Sequence, residues 1–290
     1  MAPRFIDGIA GLVPAYDDFL VDLWGCVHNG VEPYPGAVDC LRRLRAAGKR
    51  VVFLSNAPRP AAAVAERLAG VGVPVDSFDA IVSSGDATVR ALNERSDAWH
   101  AALGRRFFHV GPERDRGVVD AVADKAVDFE DADYLLNTGL VDDDGETVEA
   151  YRPMLRRALA RHLPMVCANP DLAVMRGERV IPCAGALARA YEAMGGEVRQ
   201  HGKPHASIFD MAFQRLGRTG KQRVVVIGDG LATDIAGGRA YGIDSVWIAG
   251  GIHGAEVGFI AGAPLDRAAI ARALAERGAE PSMVIAGLAW

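Results

Sequence analysis

Val224-Val225-Val226-Ile227 runs directly into Gly228-Asp229-Gly230-Leu231-Ala232-Thr233-Asp234. Four consecutive β-branched residues without polar alternation read as a strand buried on both faces, and such strands belong to parallel sheets covered by helices. The acidic turn places Asp229 at the carboxyl end of that strand, where open parallel sheets bind their ligands. A helix is expected from about Thr233, with Thr233 as its cap and Asp234 in its first turn. The next strand is expected at Ser245-Val246-Trp247-Ile248.

The same alternation of short apolar runs and helical spacing extends to both sides. Phe19-Leu20-Val21 ends at Asp22, and Pro35 opens a helix with Ala37, Val38, Leu41 and Leu44 inward and Gly48 at its close. Val51-Val52-Phe53-Leu54 ends at Ser55-Asn56, and an alanine-rich helix to about Ala69 precedes Ala80-Ile81-Val82. Downstream, Lys203 stands just before a helix carrying Phe209, Ala212, Phe213 and Leu216, while Met283-Val284-Ile285 reads as an edge strand. The middle is less regular. Strands are expected at 106–110, Tyr134-Leu135-Leu136 and Met165-Val166-Cys167, and the acid-rich stretch from Asp128 to Asp144 reads as solvated loops with one strand inside. The pattern predicts an α/β protein with a discontinuous core, 1–83 and 200–290, and a smaller α/β domain, 84–199, inserted into it.

The 290 residues carry 32 Lys and Arg against 37 Asp and Glu, a net formal charge of −5 that offers no footprint for nucleic acid or an anionic membrane surface. Half the residues are hydrophobic, which suits a folded globular chain, yet no apolar run approaches the ~18 residues that span a bilayer. Met1-Ala2-Pro3-Arg4 opens without a basic-then-apolar leader, so a cytoplasmic location is expected. Cys26, Cys40, Cys167 and Cys183 form no C-x-x-C pair, which argues against a zinc site or a disulfide framework.

Four strand or loop ends therefore carry polar groups: Asp22, Ser55-Asn56, Lys203, and Asp229 with Asp234. One aspartate at a strand end is as readily a structural cap, but this set matches the needs of phosphoryl transfer. Asp22 can act as nucleophile. Asp22 and Asp229, with a backbone carbonyl from the first loop, are hard oxygen ligands suited to Mg²⁺. Lys203 is a point charge for nucleophile and phosphate, and Ser55 offers a hydroxyl to the phosphoryl group.

These residues resemble the motifs of the haloacid dehalogenase-like hydrolases. Asp22-Leu23-Trp24-Gly25 is similar to their first motif, Leu54-Ser55-Asn56 to the second, Gly202-Lys203-Pro204 to the third, and Gly228 to Asp234 to the acidic fourth. The insertion, with Ala168-Asn169-Pro170-Asp171 ahead of the third motif, resembles the α/β cap of subclass IIA, a branch of nitrophenyl, nucleotide and sugar phosphatases. The resemblance implies a Rossmann-like core, Mg²⁺ held by Asp22, the Trp24 carbonyl, Asp229 and Asp234, an aspartyl-phosphate intermediate, and a homodimer formed through the cap. The expected substrate is a small phosphorylated metabolite.

One position departs from the family pattern. Its phosphatases carry a second aspartate two residues after the nucleophile as general acid and base, and here Trp24 stands there. An indole cannot shuttle a proton near neutral pH, and that catalysis is typically worth ~10²–10⁴-fold. His28, on the same loop, is the candidate substitute, with a plain hydrogen-bonding role as the alternative. Asn56 reads equally as an orienter of Ser55 or a substrate contact. Asn169 and Asp171 read as a turn or as cap residues that reach the substrate. Two other functions fit the loss of the second aspartate: a phospho-ligand binding or regulatory protein with impaired turnover, and a hydrolytic dehalogenase.

Overall fold

The computed structural model describes residues 3–290. Along the described chain the strands are β1 (Arg4–Phe5), β2 (Asp18–Val21), β3 (Arg50–Ser55), β4 (Ala80–Ser83), β5 (Arg106–Val110), β6 (Lys125–Ala126), β7 (Tyr134–Asn137), β8 (Met165–Cys167), β9 (Ala173–Arg176), β10 (Arg179–Pro182), β11 (Val198–Gln200), β12 (Val224–Gly228), β13 (Asp244–Ile248) and β14 (Met283–Ile285). Seven form one sheet in the order β1-β14-β13-β12-β2-β3-β4, every neighbouring pair parallel. Five form a second, also all-parallel sheet, β11-β8-β7-β5-β6, and β9 and β10 make an antiparallel hairpin.

The uninterrupted apolar runs are explained by helices on both faces. Phe19, Val21, Phe53, Val225 and Ile227 point to one side and pack with Leu41 and Leu44 of helix Ala37–Ala46. Leu20, Val52, Leu54, Val224 and Val226 point to the other and pack with Ile208, Phe209 and Ala212 of helix Ala206–Arg215. The second sheet repeats the arrangement. Leu135, Met165 and Cys167 meet Leu155 and Leu187 on one face, while Phe107, Tyr134, Leu136 and Val166 meet Leu92 and Val118 on the other. Among the described residues, no helix is long and apolar enough to cross a membrane.

Several local expectations need correction. Met283–Ile285 is not at the edge, because Arg4 and Phe5 pair beyond it with Met283 and Val284. A two-residue strand has no periodicity to reveal it. The helix expected from Thr233 begins as a π turn over Leu231–Ile235 and becomes α-helical only at Ala236–Tyr241. The hairpin β9–β10 and the helix Ser84–Glu94, capped by the Ser83 hydroxyl, lie in the stretch that reads as irregular.

The chain passes between the sheets at Ser83-Ser84 and again at 200–203. The Ser84 hydroxyl donates to the His201 carbonyl, so the outgoing and returning segments are joined by a buried hydrogen bond. At the opposite, amino-terminal end of the core sheet, Asp18 is wholly buried and accepts from Arg50 Nε and Arg218 Nε, each at 2.5 Å. Asp18→Asn is expected to lower stability by about 2–4 kcal/mol, because it sets an amide against two guanidinium groups. Urea denaturation measures that loss, and kcat/KM of the folded variant should match that of the parent, since this ion cluster sits at the far end of the strands.

Candidate active site

Asp22 follows β2 and Asp229 follows β12, and these strands are neighbours, so parallel pairing delivers both carboxylates to the same sheet end. The Asp22 amide donates to the Ile227 carbonyl at 2.8 Å, which extends the ladder to the residue that bears the carboxylate. Between them the loop turns at Gly25, whose φ is +74°. A Cβ at Gly25 would lie 1.8 Å from Asp229 Oδ2, so only glycine lets the loop approach this closely.

Lys203 brings the third group. Its ammonium lies 2.6 Å from Asp22 Oδ1 and 2.8 Å from Asp234 Oδ1, and its side chain is almost fully buried. Burial alone would favour the neutral amine, but the Asp22 and Asp234 carboxylates outweigh it and hold the lysine charged. The Asp22 carboxyl is pushed well up, first by burial and then by Asp234, Asp229 and Asp171, with Lys203 opposing. Asp229 is raised to about 7 by burial and by Asp234. Four carboxylates thus face a single ammonium, an excess of negative charge at a site of hard oxygen donors. Ligating atoms of Asp22, Asp229 and Cys26 all lie within 4.8 Å of one another. Divalent Mg²⁺ fits this donor set and offsets its charge. The Cys26 thiol, which sequence reasoning gave no role, is kept protonated by burial and the adjacent Asp229. Its position four residues after Asp22 was the available signal.

Asp234 is placed differently from the expectation that made it a metal ligand. Its Oδ1 accepts from Lys203, and its Oδ2 accepts from the Gly230 amide at 3.2 Å and the Thr233 hydroxyl at 3.4 Å. These contacts make Asp234 an anchor of Lys203, and it lies outside the cluster of ligating atoms formed by Asp22, Cys26 and Asp229. Asn56 likewise does not orient Ser55. Its Oδ1 accepts the Lys203 amide at 2.7 Å, and its Nδ2 donates to the Lys203 carbonyl at 3.2 Å and to Asp171 Oδ1 at 2.8 Å. Asn169 Oδ1 accepts the Asp171 amide at 2.9 Å, an Asx turn that aims Asp171 inward. Ser55, buried at the end of β3, accepts the Ala57 amide through its hydroxyl oxygen at 3.2 Å, leaving the hydroxyl proton to donate elsewhere.

Trp24 and His28 pack edge to face with ring centroids 5.0 Å apart. His28 Nδ1 accepts the Gly30 amide at 2.9 Å, and burial together with the Arg67 charge pushes the imidazole down to about 4. A ring held neutral with its proton on Nε2 donates a hydrogen bond but does not serve as a general acid near neutral pH. The structure therefore contradicts a proton-donating role for His28.

A cavity of about 450 Å³ lies over these residues, lined by Asp22, Trp24, His28, Ser55, Asn169 and Asp171 and closed by the hairpin and by loop residues such as Arg114, Thr138 and Asp143. Sequence reasoning missed the far wall. Arg59 pairs with buried Asp115 at 2.7 Å, and Arg176 pairs with Asp143 at 2.8 Å. These are single arginines in loops and a hairpin, without any spacing to mark them.

Comparison with known proteins agrees with the geometry. A family model for haloacid dehalogenase-like hydrolases matches residues 19–123, and a HAD-hydrolase-like model matches residues 200–284. The chain is 31% identical to D-glycerol 3-phosphate phosphatase of Mycobacterium tuberculosis over 83% of its own length, and it spans 65% of that relative's length. It is 30% identical to glycerol-3-phosphate phosphatase of Homo sapiens, over 81% of this chain and 79% of the human one. Among solved structures, a haloacid dehalogenase-like hydrolase from Brucella suis 1330 matches with a TM-score of 0.84 at 36% identity, covering 98% of this chain and 100% of the other. A glycerol phosphate phosphatase from Mycobacterium tuberculosis in complex with magnesium matches with a TM-score of 0.63 at 28% identity, covering 83% and 70%. With matches on both sides of the middle segment and homology over most of the length, the chain belongs to the haloacid dehalogenase-like hydrolases.

Proposed function

We propose that this chain hydrolyses a small phosphorylated metabolite through an aspartyl-phosphate on Asp22, with 1–83 and 200–290 as the catalytic core and 84–199 as a cap. The observation that carries the reading is the Lys203 ammonium held between Asp22 and Asp234. Lys203 occupies Asp22 Oδ1, which leaves Oδ2 as the attacking oxygen. That oxygen forms a bond to phosphorus as the ester P–O bond breaks, and the electron pair leaves on the alcohol or phenol oxygen. Water then attacks phosphorus and releases a proton through solvent to the departed alkoxide or phenoxide, the bond to Asp22 breaks with its electron pair returning to the carboxylate, and inorganic phosphate departs. Lys203 lowers the charge repulsion between Asp22 and the incoming phosphate, and the Ser55 hydroxyl donates to a phosphoryl oxygen. Asp22, Asp229 and the Trp24 carbonyl would hold Mg²⁺, which when bound would supply further neutralisation of the phosphoryl oxygens. Because that set is a metal-binding one, it supports phosphoryl transfer over metal-independent dehalogenation.

A second reading, a phospho-ligand binder with slow turnover, is favoured by one specific observation. Trp24 and neutral His28 leave the loop after Asp22 without a proton donor. Nitrophenyl phosphate separates the two readings. Turnover that requires Mg²⁺, stops with chelator and is lost in Asp22→Asn supports the enzyme; metal-dependent binding without turnover supports the binder.

Lys203→Met should lower kcat on nitrophenyl phosphate by about 10²–10⁴-fold. It should also cost about 3–5 kcal/mol of stability, because truncation leaves Asp22 and Asp234 buried without their cation. Thermal denaturation with and without Mg²⁺ separates the two effects, and added Mg²⁺ should restore part of the stability but not the rate.

Esters with good leaving groups need little protonation in the first step. The wild-type enzyme should therefore prefer nitrophenyl phosphate over alkyl phosphates by about 10²-fold or more, within the range that general acid catalysis is worth. Trp24→Asp should narrow that ratio in steady-state kinetics. Equal rates on both ester classes in the wild type would remove the basis for this account of Trp24.

A further inference from the structure

Gly30 ties together one corner of the cavity. Its amide donates to His28 Nδ1 at 2.9 Å, and its carbonyl accepts from Arg67 Nη2 at 2.7 Å. Its φ is +84°, and a Cβ there would lie 2.4 Å from the Trp24 ring, so the missing side chain is what lets the indole lie against the turn. Trp24, His28 and Arg67 are thus fixed by a single residue, and all three line the cavity that holds Asp22.

Ion pairing in this cavity is uneven, and Arg67, which is solvent-exposed, stands outside that pairing. Arg59 is paired with Asp115, and both Arg114 and Arg176 with Asp143. Among the described residues, Arg67 makes no ion pair, and its one hydrogen bond is to the neutral Gly30 carbonyl. Its guanidinium keeps further N–H donors, and the His28 Nε2 proton is a second donor in the same corner. A planar guanidinium fork beside a neutral imidazole donor matches a carboxylate in shape. It also matches in charge, since one cation balances a monoanion and falls short of a phosphate dianion.

We propose that this corner binds a carboxylate on the organic part of the phosphorylated substrate, with Arg67 as the specificity-determining residue. The inference rests on the reading of Asp22 as the phosphoryl-accepting centre and narrows its substrates to phosphorylated carboxylic acids.

Two probes that differ only in the carboxylate test the proposal: 3-phosphoglycerate and glycerol 3-phosphate. The ratio of their kcat/KM values should favour the carboxylate by about 10- to 100-fold, the range for a charge-assisted hydrogen bond. Arg67→Met should erase that preference, and Arg67→Lys should retain part of it, since charge remains but the fork is lost. Calorimetric binding of both probes to Asp22→Asn with Mg²⁺ reads the same preference without turnover. Both probes bound or turned over with a ratio that Arg67→Met leaves unchanged would overturn the proposal. A carboxylate preference in binding that depends on Arg67, with no turnover of any phosphate ester, would uphold the corner and overturn the hydrolase reading instead. Failure of 3-phosphoglycerate to bind would overturn the carboxylate assignment.

Discussion

The ammonium of Lys203, buried between Asp22 and Asp234, is the interaction on which the site is built. An unpaired charge in such a place is very costly, and a pair is tolerated only when its geometry and remaining hydrogen bonds are satisfied. The fold meets that demand from four directions. The strand end after β2 brings Asp22, the π turn after β12 brings Asp234, the returning segment brings Lys203, and the end of β3 brings Asn56 to hold the lysine's backbone. No two of these segments are consecutive in the chain. They meet because parallel pairing sends the carboxyl ends of β2, β3 and β12 to one edge.

The excess of carboxylate over cation has a functional sense. With one lysine against Asp22, Asp229, Asp234 and Asp171, burial drives Asp22 and Asp229 toward protonation. A protonated Asp22 is a poor nucleophile, so the residues present call for added positive charge before they can react. Asp234 is in direct contact with Lys203 and accepts from the Gly230 amide on its second oxygen. The division of labour follows: Asp234 fixes the lysine, while Asp22 and Asp229 are the pair left to meet a cation.

Much of this was legible in the sequence, and the rest was hidden for identifiable reasons. Asp22 and Asp229 could be placed because each follows an apolar run, and the end of a parallel strand is a local feature. Lys203 was legible from its place before a helix together with its motif. The partners of Asn56 were not, because it meets Lys203 across 147 residues of chain and no local pattern encodes that contact. Asp234 looked like a ligand because a helix start and a metal site both favour aspartate; its contact with Lys203 and its place outside the cluster of Asp22, Cys26 and Asp229 appear only in the folded chain. The neutrality of His28 was equally invisible, since it comes from burial and from Arg67 on a different helix.

Asn56 also links the two sheets through the site itself. One amide group of the core grips the backbone of Lys203 on the returning segment and the carboxylate of Asp171, which follows β8 of the second sheet. Asp171 in turn lines the cavity and is held by Asn169. Any displacement of the second sheet away from the core must therefore stretch the Asn56–Asp171 bond, and that strain acts on the residue that positions Lys203. The position of the second sheet and that of the Lys203 backbone are thus joined through three hydrogen bonds on one side chain.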